Sequence, residues 1–358
     1  MKTSYKAKLK RALFRLYLFT VMGLFIPLVL IGNCLIIHFT FHDYLRLLSV
    51  LSYSLGSVIL LFFHKRFKKA LFAFSLVSAL LLLWFICIPA SNDRNWDPAV
   101  AQLPKITYDE NLIHIEKFRH FEYTPNETKE KYRSQTFDID QLVGTDLIIS
   151  YWDNYRTIGH TFVSFRFKDG QNIAISLEVR KQELESYDPL RGMFKQYELI
   201  YLIGDERDLI PLRTKIRHEE TFLYPMNLSV AHSKSFLKDI LEAANKLNEK
   251  PQFYNSISRN CTTGMIEHLN KIRDFQIPLS QKIVLNGILD YYSYQLKGIP
   301  TDLPFDVLKR ACYISETANQ IPLDENFSLN LRQVINTRLE KERRKRNIHH
   351  PVETHSSN

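Results

Sequence analysis

Acidic residues are nearly missing from the first quarter of this chain. Of 38 Asp and Glu in 358 residues, Asp43 alone falls within residues 1–90, against eleven Lys and Arg. The formal net charge of +9 is therefore +10 on that segment and −1 on the remainder. A nucleic-acid reader carries its positive charge on the folded domain. Here the charge flanks apolar runs instead, so no nucleic-acid partner is expected. Cysteine is scarce too: Cys34, Cys87, Cys261 and Cys312 make up the full set. They form no CxxC pair and no Cys/His cluster with zinc spacing, so no metal site and no cofactor is expected. There is no internal repeat.

Where acids are missing, three apolar runs stand: Leu16 to Ile37, Leu47 to Phe63 and Ala70 to Ala90. Each approaches the roughly 20 residues that cross a hydrocarbon core of about 30 Å. Cys34 and Cys87 lie inside them, where a thiol usually packs. The first run is too long for a cleaved signal peptide, and two more follow it. The tail KTSYKAKLKRALFR and the connection HKRFKK are basic, whereas the first connection has no Lys or Arg before Arg46. Basic segments stay cytoplasmic. The expectation is a membrane protein with a cytoplasmic N-terminus. Residues 1–90 are expected to form a three-helix transmembrane anchor, 91–340 an extracytoplasmic catalytic domain, and 341–358 a disordered basic tail.

Within 91–340 the stretch 91–145 reads as loop-rich, and DLIISYW at 146–152 and YELIYLI at 197–203 read as strands. HTFVSFRF, KDG and QNIAISLEVR make a hairpin signal, two alternating runs around a Gly-containing turn. A three-residue turn with Gly170 in the left-handed conformation makes the paired residue numbers sum to 338. One face then carries Thr161, Val163, Phe165 and Phe167, and the other carries His160, Phe162, Ser164 and Arg166. This register sets Glu178 opposite His160 on the second, polar face. SKSFLKDILEAANKLN has helical spacing and a Ser start, and reads as an amphipathic surface helix. A loop leads into another helix near Cys261, and 281–340 reads as mostly helical. The fold class is α+β with an antiparallel sheet.

A cysteine nucleophile needs thiolate character, a base and a group that orients the base. Cys261 stands in Asn260-Cys261-Thr262-Thr263 at the start of a helix, where the helix dipole favours the thiolate. His160 opens a strand, and Glu178 is the natural orienting group. Other readings stay open at this point. Cys261 could simply pack or pair with Cys312, and Glu178 could pair with Arg180 or Arg166. Trp152 and Tyr254 could line a lipid groove or belong to the core. Asn92, Asp93 and Arg94 are expected to pack the domain against its anchor near the site.

The blocks SNDRNW, HTFVSF, SLEVRK, QYELIYLIGDERD and YNSISRNCTTGM, in this order over about 175 residues, resemble the Lnb N-terminal periplasmic domain family. The namesake is a bacterial lipoprotein N-acyltransferase with a Cys–His active site. The resemblance puts Cys261 at the position of the family's NCTT cysteine and His160 at that of its HT histidine. Glu178 matches the acid of the family's S-x-E-x-R strand. The order of His before Cys also resembles permuted papain-like enzymes of the NlpC/P60 and lecithin:retinol acyltransferase types. In the namesake the membrane segments follow the domain, whereas here they precede it.

The implied function is a membrane-anchored cysteine acyltransferase. It takes an acyl chain from a phospholipid donor through a Cys261 thioester to an amine, the N-terminus of a lipoprotein. Asn260, Thr262, Arg180, Trp152, Tyr254, Asp93 and Arg94 are the candidate supporting or substrate-binding residues. A cysteine hydrolase of peptidoglycan or peptide amides and a non-enzymatic membrane interaction module are the alternatives.

Overall fold

The computed structural model describes residues 13, 16, 20–41, 43–124, 127–152, 156, 158–272, 276–278 and 286–349. The chain divides into two compact units, residues 1–90 with 188–196, and residues 91–187 with 197–358.

The first unit is built on helices α1 (Ile26–Thr40), α2 (Asp43–Phe63) and α3 (Phe67–Cys87). Segments Met22–Thr40, Tyr44–Phe63 and Phe67–Cys87 have mean hydropathies of 2.1, 1.8 and 2.5, and are long and apolar enough to cross a membrane. Pro27 has no N–H for the carbonyl four residues back and its ring crowds that carbonyl. The chain answers with a π turn over Val21–Phe25, just before α1. Helix α3 stops at Cys87 because Ile88 precedes Pro89 and turns extended, with ψ of 118°. Side-chain hydrogen bonds link all three helices: Asn33 Nδ2 donates to Tyr53 Oη at 2.6 Å, and Tyr53 Oη lies 3.1 Å from Ser78 Oγ. Such polar pairs join helices where lipid offers no competing partner. Segment 188–196 completes the unit. Phe194 stacks on Phe39 with ring centroids 5.0 Å apart. Lys195 Nζ donates to the Ile86 and Ile88 carbonyls at 2.8 and 3.0 Å, capping the end of α3.

The second unit carries β1 (Lys105–Asp109), β2 (Leu112–Arg119), β3 (Glu122–Tyr123), β4 (Thr128–Lys129), β5 (Tyr132–Asp138), β6 (Leu142–Tyr151), β7 (Gly159–Phe167), β8 (Asn172–Arg180), β9 (Glu198–Gly204) and β10 (Glu220–Pro225). Its helices are α4 (Glu206–Pro211), α5 (Val230–Glu249), α6 (Cys261–Ile272), α7 (Leu289–Gln295), α8 (Phe305–Ala311), α9 (Ser315–Gln320) and α10 (Phe327–His349). The main sheet runs β1-β2-β9-β8-β7-β6-β10, with β5 also paired to β2. Its pairings are antiparallel apart from one parallel contact, Arg119 with Gly204. The fold is thus α+β, with a mostly antiparallel sheet.

Side chains alternate between two cores, as strand geometry requires. Val163, Phe165, Ile175 and Leu177 pack with Phe236 and Ile240 of α5 and Met265 and Leu269 of α6. Phe162, Ala174 and Ile200 pack on the other face with Leu308, Phe327 and Leu331 of the C-terminal helices.

Two sequence expectations change here. Residues 91–145, read as loop-rich, contain β1, β2, β5 and the start of β6; only scattered positions of β1 and β5 are buried, so their apolar signal is sparse. The amphipathic helix lies at the surface as expected, with one face of seven residues buried in the core. Residues 341–349, read as disordered, continue α10, where Arg343 Nε bonds Asp302 Oδ2 at 2.5 Å and Arg346 Nη1 bonds the Asp302 carbonyl at 2.5 Å. Residues 350–358 lie outside the described residues.

Candidate active site

The Asn-Cys-Thr-Thr run is a helix-start device. Asn260 Oδ1 accepts from the backbone N–H of Thr262 at 3.0 Å and of Thr263 at 2.8 Å. Thr263 Oγ1 answers by accepting the Asn260 N–H at 2.8 Å. This is the reciprocal logic of a capping box, with Thr in the returning position. It fixes Cys261 as the first residue of α6. Three residues on, Gly264 lets the helix lie close to β8, because a Cβ there would collide with Leu177 Cδ1.

The hairpin brings His160 to the thiol. Gly170 has φ of +86°, and the β7–β8 pairs run from Arg166–Asn172 to Phe162–Ser176, each summing to 338. Past the last of these pairs, His160 Nε2 lies 3.0 Å from Glu178 Oε1. It also lies 2.6 Å from Ser176 Oγ, which itself donates to Glu178 Oε1 at 2.8 Å. The imidazole is also hydrogen-bonded to the Cys261 thiol. Arg213, with only 1% of its side chain exposed, donates through Nη2 to Glu178 Oε1. The second face of the hairpin is polar in type but not solvated. Ser164 donates to Glu206, Arg166 Nε lies 3.1 Å from Asp146 Oδ2, and Arg332 of α10 binds both Asp146 and Glu206.

Charge in this line is displaced toward thiolate and imidazolium. Burial raises the Cys261 pKa, but His160 and the Thr161 backbone N–H outweigh it, and the net shift is downward. Burial and Arg213 push His160 down, yet the Glu178 carboxylate and Cys261 thiolate hold it above its ordinary value. For Glu178 burial is again the largest influence and raises the pKa. His160 and Arg213 overcome it and leave the carboxyl well below its usual range. Such mutual shifts are the mark of an activated thiol.

The other sequence candidates fall in different places. Tyr254 is buried and packs edge-on against Tyr187 at 6.1 Å; burial and then the Cys261 charge push its phenol up. Trp152, 42% exposed, packs edge-on against the same Tyr187 at 5.8 Å. Thr262 Oγ1 lies 3.9 Å from Cys261 Sγ. Arg180 turns elsewhere. It donates to the carbonyls of Val100 and Ala101 and to Asn92 Oδ1, tying down the domain's first residues. Arg94 pairs with Glu198 at 2.7 Å, and Asn92 Nδ2 donates to the Leu247 and Asn248 carbonyls. Asp93 is exposed, and its backbone N–H bonds Ser91 Oγ at 3.0 Å. The interactions of Asn92 and Arg94 anchor the entry strand to α5 and β9. Cys261 and Cys312 are both free thiols. Sequence reasoning missed three residues, Ser176, Arg213 and Tyr187. Ser176 shares a strand face with Glu178 and was legible by alternation.

Fold and site together define a class: a membrane protein whose α+β domain holds a buried thiol, an imidazole and a carboxylate in line at a helix start. Residues 128–289 match the family described as the Lnb N-terminal periplasmic domain. That segment contains His160, Ser176, Glu178, Arg213, Asn260 and Cys261, so the residues of the site all fall inside the matched domain. No curated protein and no solved structure matches the chain.

Proposed function

We propose that this protein is a thiol-dependent acyltransferase working on the periplasmic side of the bacterial inner membrane, with its N-terminus in the cytoplasm. The observation that carries the reading is geometric: the buried Cys261 thiol at the first residue of α6 is hydrogen-bonded to His160, whose Nε2 lies 3.0 Å from Glu178 Oε1. The His-before-Cys order and the cysteine at a helix start fit a permuted papain-like arrangement. In the first step the Cys261 proton passes to His160, and the sulfur attacks the carbonyl of a phospholipid ester. The C–O bond breaks, the lysolipid alcohol takes the proton from His160, and an acyl thioester remains. In the second step an amine, the N-terminus of a lipoprotein, attacks the thioester. The C–S bond breaks, and the amine proton returns to the thiolate through His160. Glu178, aided by Ser176 and Arg213, orients the imidazole and stabilises its charged form. Helix α6 adds positive potential at the sulfur. A membrane tether raises the effective concentration of a lipid donor and a lipidated acceptor.

The test is N-acylation of a synthetic diacylated lipopeptide by the full-length protein in phospholipid micelles. An amide-linked third chain, lost in Cys261→Ala, is expected. Release of free fatty acid with no acylated peptide would point to a hydrolase and against this reading.

A further inference from the structure

Close to the thiol, packing in the second unit leaves a narrow, partly open cleft with a mainly apolar lining. One wall is a stripe on α6: Thr262, Met265, Ile266 and Leu269. That spacing of three, four and seven residues is a single helix face. The opposite wall repeats it with Leu289, Tyr292, Ser293 and Leu296, on and just past α7. Leu147, Thr161 and Val163, from neighbouring strands, line it as well. The hydroxyls of Thr161 and Thr262 lie 3.3 Å apart, and the latter is 3.9 Å from Cys261 Sγ. From there the α6 stripe advances about 10 Å along the helix axis.

No charged side chain lines this cleft among the described residues. A sugar or peptide placed in it would leave hydroxyls and amides without partners, at a large desolvation cost. A methylene chain has nothing to leave unpaired. We infer that the cleft holds the acyl chain of the lipid donor. The ester carbonyl sits at Cys261, and the far methylenes lie between Leu269 and Leu296. This rests on the acyl-transfer reading and adds to it the residues that select chain length.

The first test photo-crosslinks full-length Cys261→Ala with a phospholipid carrying a diazirine in its acyl chain, followed by peptide mapping. Labels on Ile266, Leu269, Tyr292 or Leu296 are expected. Labelling confined to other parts of the chain overturns the proposal, as does labelling of the cleft by diazirine palmitic acid but not by the phospholipid. The second test fills the cleft at half-buried positions with Ile266→Trp and Ser293→Trp. The Cys261 adduct from a palmitoyl donor should fall about 10-fold, while that from a butyryl ester stays within about 2-fold. Equal loss for both donors, or loss for neither, contradicts the proposal. A wild-type protein that forms no adduct yet labels in the cleft refutes the transfer chemistry and supports the cleft. Adduct formation without cleft labelling or chain-length effect does the reverse.

Discussion

His160 Nε2 stands 3.0 Å from Glu178 Oε1 across two neighbouring strands. The closeness follows from a three-residue turn ending at Gly170, because that turn fixes which residues of β7 and β8 face each other. One residue of slippage would send Glu178 to the opposite face of the sheet. A local turn thus brings the carboxylate to the imidazole.

The two cysteines of the second unit should differ in reactivity. Burial pushes the Cys312 thiol up to about 12, whereas Cys261 is lowered by its histidine. Iodoacetamide at neutral pH should modify Cys261 in the folded protein and spare Cys312 until denaturant is added. Peptide mapping reads both sites, and equal modification would contradict the assigned difference.

Glu178→Gln should move the pH profile in a defined direction. Burial and Arg213 press the His160 pKa down, and Glu178 is a main group opposing them. Without that carboxylate the imidazolium loses its proton at lower pH, so the basic limb of Cys261 adduct formation shifts toward acid. The rate at neutral pH should fall roughly 10²-fold. Ser176→Ala should do less, since a single neutral hydrogen bond contributes about 1 kcal/mol. A profile that drops without shifting would show Glu178 to be structural only.

Arg213 is the largest fully buried side chain of the second unit, and its partners are Glu178 and Glu219. Removing one member of a buried ion pair costs about 3–5 kcal/mol. Arg213→Met should therefore lower unfolding stability by that order, and Arg213→Lys by less. The pH dependence has a sign as well. Glu178 is held below its ordinary value of 4.5, so its share of stability is complete above that pH and is lost as the pH falls. Arg213→Met should flatten this acid loss in urea unfolding measured between about pH 3 and 7.

The hairpin, the helix start at Cys261 and the three apolar helices were legible because each is a local pattern. A Gly sits where a positive φ is needed, an Asn precedes a helix start, and apolar runs match a membrane. Strands β1 and β5 were not legible, because few of their residues face the core. Arg213 was invisible for a different reason. LRTKI reads as a basic surface turn, and only the packing of α4 and the following π turn buries it. The extension of α10 depends on Asp302, some forty residues earlier in the chain.

Asn260→Ala tests the helix start separately from the base. Loss of an N-cap costs about 1 kcal/mol. Without the cap, the first turn of α6 holds the sulfur less firmly. Thiolate formation at Cys261, followed by the pH dependence of its alkylation, should move to higher pH. An unchanged titration would mean the cap sets stability and nothing more.

The central claim is that the thiol meeting His160 carries an acyl group. Intact-mass spectrometry of the full-length protein incubated with a palmitoyl phospholipid tests it directly. The account predicts one palmitoyl adduct, mapped to Cys261 and released by hydroxylamine. It should be absent in Cys261→Ala and strongly slowed in His160→Ala. An unmodified wild-type protein, or an adduct that persists in Cys261→Ala, would contradict it.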